Sequence, residues 1–494
     1  MRNTRLFKKI LAILIVLILL AFTSCTQDEV YDDIAEPITT SYNGETVIQT
    51  DRVQRIPPNL PDYDFEGHTF RVLTNAWDEL SPDLAFMNVR DLVHSEELGG
   101  NPLNEAVFRR NQTLQDRYNF TIEQMMRTDP WGVIRTSVAA GDSQFDSAMI
   151  EITGLPRLIV EGHLIDLFTI DHIDFEKPWW DQNMVDNAVK NRLFFASGDL
   201  NTRNKDRLAT ILFNKQLLDD LELDCPYELV RNGQWTLEAL YTMARTASAD
   251  LGGQGGLLNP NTDRFGLIYN MNIEMPALIA GAGVRFIEIG VDGLPSLVFE
   301  TDRNFRAVAA VRELLSSDFS LRNQMGGGHV FEEGRSLFKV TQIQQVELLR
   351  AMETDFGVLP MPWLDEHQGE WKHSADASFS NTVVIPNFHD ERALDRIAFM
   401  LEAIASESRY TIIPAYYDIQ LTGQLIRDEQ CREMLEIIFN SIVWESGIVY
   451  GWINLHQHDF IMRLLSYPAS TWEIHSRLIE DRMQRTVDDF ANME

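Results

Sequence analysis

The chain has 494 residues, 45% hydrophobic, 10% aromatic and 23% charged, which excludes a disordered or fibrous protein and points to two or more domains. Its 74 acids against 42 bases give a net charge of −32. That balance repels phosphate backbones and anionic headgroups, so no nucleic acid is expected as a partner.

A basic start (Arg2, Arg5, Lys8, Lys9) precedes the unbroken apolar run Ile10 to Phe22 and then Thr23-Ser24-Cys25. The run fits the apolar region of a secretory signal and falls short of the roughly 20 residues a membrane-spanning helix needs. The segment resembles a bacterial lipoprotein signal, with Phe22 where leucine is usual. The resemblance implies removal of residues 1–24 and diacylation of Cys25, which becomes the new N-terminus. Two acyl chains hold a protein stably at a membrane, even one whose loss of four leader bases takes it to about −36. The expected location is the outer face of the cytoplasmic membrane, or the periplasm in a two-membrane envelope.

Residues 25–64 are polar, with Pro57-Pro58 and Pro61 near their end, and read as a flexible tether. Beyond them Thr69 to Leu73 reads as a strand, and Asn101-Pro102 offers a cap and first-turn proline for a helix bearing Leu103, Val107, Leu114 and Tyr118 on one face. Strands at Phe120 to Gln124 and Ser147 to Ile150 follow, with a helix between them near Val133 to Ala140. This βα alternation predicts a largely parallel sheet covered by helices. The pattern restarts with a strand at Leu208 to Phe213, a helix from Thr236 through Leu240 and Ala244, a strand at Phe265 to Tyr269 and a helix through Phe305, Val308 and Leu315. Further strands are expected at Ser336 to Val340, Gly357 to Leu359 and Thr382 to Ile385, and the last hundred residues read as helices. Cys431 falls on an apolar helical face with Met434, Leu435 and Ile438, so two buried free thiols, Cys225 and Cys431, are favoured over a disulfide.

No nucleophile elbow, phosphate-binding loop, zinc-binding His-Glu-x-x-His helix or paired Cys-x-x-Cys occurs. His456-Gln457-His458-Asp459 is the one close histidine and carboxylate cluster, but residues two apart do not share a helical face, so no metal is assigned there. No catalytic residue is assigned and no cofactor is expected. Ten tryptophans are present, many beside Asp, Glu, Asn or Gln, as in Trp77-Asp78-Glu79, Trp179-Trp180-Asp181-Gln182 and Trp444-Glu445. Such neighbours suit sugars, whose C–H faces lie on aromatic planes while their hydroxyls pair with amides and carboxylates. Each tryptophan taken alone fits a core residue better, and Trp180 in particular reads as packing beneath a hinge.

A series of short motifs runs in order through the chain: Gly162-His163-Leu164-Ile165-Asp166-Leu167, Lys177-Pro178-Trp179-Trp180-Asp181, Gly198-Asp199, Phe213-Asn214-Lys215, Cys225-Pro226-Tyr227-Glu228-Leu229-Val230 and Gly233-Gln234-Trp235-Thr236. Phe331-Glu332-Glu333-Gly334-Arg335-Ser336-Leu337-Phe338, Phe356-Gly357-Val358-Leu359-Pro360 and Pro414-Ala415-Tyr416-Tyr417 continue it. Together they resemble the family 1 extracellular solute-binding proteins of ABC importers, from about Phe65 to Trp452. The resemblance implies an α/β, two-lobed periplasmic-binding-protein-like fold with a central cleft and C-terminal helices. Lobe one would comprise 65–195 and 335–400, and lobe two 196–334 and 401–494. It also implies a non-enzymatic receptor that closes on a carbohydrate ligand and delivers it to transmembrane permease subunits.

Ligands of open parallel sheets sit beyond the carboxyl ends of the strands. That rule nominates Thr74, Asn75, Trp77, Glu151 and Thr153 in the first lobe and Tyr269 and Asn270 in the second, with Asp199 and Arg207 flanking the crossing. Gln342 stands where sugar-binding relatives often carry an aromatic, and Trp444 where they supply a stacking ring. Asp250-Leu251-Gly252-Gly253-Gln254-Gly255 occupies the place of a calcium-like loop in many relatives. It lacks the oxygen ligands that calcium needs, so no metal is expected there either. A surface glycoside hydrolase or lyase, with two of the carboxylates catalytic, is the alternative reading from another class.

Overall fold

The computed structural model describes residues 55–95, 101–142, 144–253, 255–270, 274–322, 329–346, 349, 352, 354–375, 380–418, 429–453 and 463–492, together with two short strands nearer the N-terminus. The leader, Cys25 and the His456 to Asp459 cluster lie outside the described residues. Within the expected tether, Thr40–Tyr42 pairs antiparallel with Glu45–Val47, a small ribbon that the polar composition did not signal. The main body starts at Pro57, earlier than expected. Leu60 and Phe65 pack on the core, and the Phe65 ring meets Phe120 and Phe399 edge-on, so the prolines at 57 to 61 already lie on the folded body.

The first sheet has the order Asn381–Val384, Ser147–Glu151, His68–Asn75, Phe120–Arg127. The last three are parallel, and Asn381–Val384 runs antiparallel beside Ser147–Glu151. The helix Pro102–Tyr118 forms where expected. The Asn101 side chain accepts from the amides of Leu103 and Asn104, and Asn119 ends the helix in the left-handed region at φ 55°. Asp129 caps Pro130–Ala140 in the same manner. The sheet buries Phe70, Val72, Phe120 and Met149 against Leu114, Tyr118 and the Ile397 to Ala405 stretch of a long helix.

The second sheet has the order Ser320–Arg322, Phe265–Tyr269, Ser336–Gln342, Ala209–Asn214, Phe356–Leu359. Ala209–Asn214 is antiparallel to both its neighbours, so this sheet is mixed rather than largely parallel. Ser336–Gln342 and Phe356–Leu359, expected in the first lobe, therefore belong to the second sheet. Short apolar strands carry little in their sequence to name a distant partner, and long-range pairing decides it. Thr236 and Thr301 cap the helices Leu237–Ala247 and Asp302–Ser316 that cover this sheet. Trp235 is fully buried and donates its indole N–H to the Pro360 carbonyl at 2.9 Å.

Glu391–Asp418 is one continuous helix across the boundary expected at residue 400. Its first half packs in the first core, and Ile412, Ala415 and Tyr416 enter the second. The indoles of Trp179 and Trp180 both donate to the buried carboxyl of Glu402, at 3.1 and 2.8 Å, fastening the crossing segment to this helix. Trp180 is thus the core residue its context predicted. Glu429–Asn440 and Pro468–Asn492 complete the C-terminal helices. Cys431 is buried with its sulfur 3.1 Å from the Tyr227 hydroxyl, whereas Cys225 is exposed, so both are free thiols but only one is buried. Among the described residues no helix is long and apolar enough to cross a membrane.

Candidate functional site

The strands of the first sheet deliver a compact set of polar groups at their carboxyl ends. Thr74 ends on the sheet face, where its hydroxyl accepts from the Gln124 amide at 2.9 Å. Asn75 is buried, and its carbonyl oxygen accepts no hydrogen bond among the described residues. The chain then turns into Trp77–Leu80, and the Trp77 indole N–H donates to Glu151 Oε1 at 2.7 Å. Glu151 closes its strand at 1% exposure, with Oε2 left without a partner. Burial pushes its carboxyl up to about 7, against the opposing pull of the Trp77 hydrogen bond and the charges of Arg203 and Arg207. Asn381 stands opposite Glu151 in the antiparallel register, and its side-chain oxygen and the neighbouring Ser380 hydroxyl also lack partners among the described residues. Thr153 follows in the short turn Ile152–Gly154, half-buried.

The crossing segment brings cations to the same place. Arg203, 3% exposed, donates Nη1 to the Phe86 carbonyl at 2.6 Å, while its Nε and Nη2 find no acceptor among the described residues. Burial, and next the charge of Arg207, pull its pKa down to about 9. Arg207 reaches Gln342 of the second sheet twice: Nη1 lies 3.5 Å from Gln342 Oε1, and its carbonyl accepts from Gln342 Nε2 at 3.3 Å. Arg207 thus ties the crossing to the end of the second sheet, and its charge acts on Glu151 at the end of the first. A buttress holds this arrangement. Asp91 accepts from the amide and hydroxyl of Thr202, Arg90 pairs with Asp206 at 2.8 Å, and Asn204 exchanges hydrogen bonds with the Asn381 backbone.

Four nominated residues fall elsewhere. The Asp199 carboxylate is taken by Arg409 at 2.8 Å and Lys205 at 3.8 Å, which ties the crossing to the long helix. Tyr269 is buried with its hydroxyl donating to the Leu315 carbonyl at 3.0 Å, a packing role, and Asn270 follows it half-buried. Trp444 donates its indole N–H to Asp181 at 2.8 Å and lines a cavity of about 1430 Å³ with Trp371, Arg285, Glu288, Lys372 and Glu436. That cavity takes none of its lining from Trp77, Glu151, Arg203 or Arg207. This cavity and the most demanding chemistry thus lie apart. The chemistry is the stronger indicator, because buried polar atoms without partners carry a desolvation penalty that only a ligand or water relieves.

Arg203, Ser380 and Asn381 belong to the site and were not nominated from sequence. For Arg203 the signal was the run Asp199 to Arg207, polar but for Leu200 and ending at the apolar stretch that starts at Leu208; Ser380 and Asn381 carry no such signal.

The glycine-rich loop uses its own carboxylates. Asp250 accepts from the amides of Gly253 and Gly255, and Asp263 from those of Gly252 and Asn259. Chelation of calcium is therefore expected to leave the melting temperature unchanged, and a shift in a thermal scan with a chelator would contradict this.

No protein-family model and no curated protein matches the sequence. Among solved structures the chain is similar to a cyclic α-maltosyl-1,6-maltose binding protein from Arthrobacter globiformis, at 14% identity and a TM-score of 0.53, over 85% of this chain and 99% of that one. It is also similar to a sugar transporter from Rhizobium etli in an open conformation, at 13% identity and a TM-score of 0.51, over 86% and 100% of the two chains. UspC from M. tuberculosis aligns at 12% identity and a TM-score of 0.50, over 84% and 100%. At these identities the likeness establishes the fold: this chain is built as the two-lobed periplasmic-binding proteins are, two α/β sheets completed by C-terminal helices.

Proposed function

We propose that the protein is a lipid-anchored extracellular receptor that captures a carbohydrate between two lobes and hands it to the permease of an ABC transporter. The observation that carries this reading is the set of buried groups on Asn75, Glu151, Arg203, Ser380 and Asn381 that find no partner among the described residues, centred on Glu151, which accepts from the Trp77 indole. Sugar hydroxyls donate and accept in the pattern those groups leave open, and the indole face offers the apolar surface a pyranose ring needs. Two of the neighbours in fold have sugar ligands or a sugar transporter in their descriptions, which agrees with this chemistry. The lobes are taken as the bodies around the two sheets, so that a ligand touching both favours the closed form by its differential affinity.

Titration calorimetry with a glycan panel tests the reading. Saturable binding is expected, with the glycan recovered unchanged. Cleavage of the glycan, abolished by a single carboxylate change, would replace the receptor with the hydrolase alternative.

Anchoring is tested separately. Cys25→Ser is expected to give an exported protein without lipid that is released from membranes, as fractionation would show. Tight membrane association of that variant would contradict the anchor.

A further inference from the structure

We propose that the saccharide held at this site carries a carboxylate, and that the open Nε–Nη2 edge of Arg203 is its seat, so that the ligand is a uronic-acid oligosaccharide rather than a neutral one. The inference rests on the carbohydrate reading above and concerns the same site. Its basis is the geometry of what is left open. Of the Arg203 donors, Nη1 is consumed by the Phe86 carbonyl, and the atoms without acceptors are Nε and Nη2. Those two lie on one edge of the planar guanidinium and point in parallel, the pair that matches two oxygens of one carboxylate. Single sugar hydroxyls would satisfy them less well, because two separate oxygens must then be brought to a fixed fork.

Charge leads to the same ligand. Arg90 is compensated by Asp206, and Asp91 is held by the Thr202 amide and hydroxyl with the charge of Arg110 nearby. Arg203 itself feels the charges of Asp206 and Asp91, yet neither carboxylate accepts from its Nε–Nη2 edge, and burial still pulls its pKa down to about 9. A buried guanidinium edge left open is unfavourable, and an anionic group offsets its burial more than a neutral hydroxyl does. The open acceptors on Glu151, Asn75 and Asn381 are then available to the hydroxyls of the same sugar.

The test is titration calorimetry at pH 7 on the full chain. The probes are oligosaccharides of galacturonate, glucuronate and mannuronate, each paired with its carboxyl-reduced neutral counterpart and with a sulfated analogue. At least one uronide is expected to bind tenfold or more tighter than its reduced partner. Arg203→Gln is expected to bring the two to similar affinity, and Arg203→Lys to keep part of the preference. The ligand comparison needs no variant, so a misfolded Arg203→Gln would leave it decisive. Equal or tighter binding of the reduced glycan overturns the acidic ligand and leaves the carbohydrate receptor standing. Preference for the sulfated analogue overturns the carboxylate. Binding of neither these nor the neutral panel overturns the carbohydrate reading itself.

Discussion

Glu402→Leu is expected to destabilise the protein by about 2 to 5 kcal/mol at pH 5 and by much less at pH 8. The Glu402 carboxyl accepts from the indoles of Trp179 and Trp180 and from the Asp174 amide, all in or beside the buried crossing. Leucine leaves two buried indole N–H groups without acceptors, each worth about 1 to 3 kcal/mol. The pH dependence follows from burial, which pushes this carboxyl up to about 7 in the folded state from an ordinary value near 4.5. Between those values the folded chain binds the proton more tightly than the unfolded one. The contribution is therefore fully present below about pH 4.5 and is lost as pH rises through 7, by about 3 kcal/mol in all. The variant does not suffer that loss, so its deficit narrows in alkali. Burial also pushes Glu151 and Glu445 up to about 7, so the native protein should melt at lower temperature at pH 8 than at pH 5. Urea titrations of both proteins at pH 5 and 8 measure the two effects, and a deficit that is equal at both pH values would contradict the assignment.

Trp77→Ala is expected to weaken glycan binding tenfold or more, about 1.4 kcal/mol, while the fold survives. The ring is half-buried at the edge of the cluster, so its loss removes a stacking face without emptying a core position. It also strips the hydrogen bond from Glu151 Oε1 and leaves both oxygens of a buried carboxyl open. Calorimetry on this variant, beside Trp444→Ala, separates two places. Trp444 lines the large cavity with Trp371 and Arg285, and a loss confined to Trp444→Ala would move the ligand there.

Most elements were legible because local chemistry sets them. Phe265–Tyr269 forms over the very residues expected, and the cap at Asn101 acts as its sequence announces. Sheet membership was not legible, since nothing local tells Ser336–Gln342 that its neighbours are Phe265–Tyr269 and Ala209–Asn214. Of the candidate cluster, the strand-end rule nominated Asn75, Trp77 and Glu151. It did not nominate Arg203, because a run of polar residues reads as solvated, and here the run is buried with hydrogen bonds within it and to the Asn381 backbone. The pairing of tryptophan with acids was partly misleading for the same reason. Trp179, Trp180 and Trp444 spend their indole N–H groups on internal carboxylates, and Trp235 and Trp452 on a backbone carbonyl and a hydroxyl. These contacts satisfy large buried rings and need no sugar.

The location of the ligand is the centre of the account, and a crystal structure with the tightest-binding glycan measures it directly. The account predicts a sugar ring against the Trp77 indole, with hydrogen bonds to Asn75, Glu151 and Asn381 and an acidic group on the Nε–Nη2 edge of Arg203. A glycan seated instead beside Trp444 and Trp371, with no ligand atom on the groups around Glu151, would contradict it.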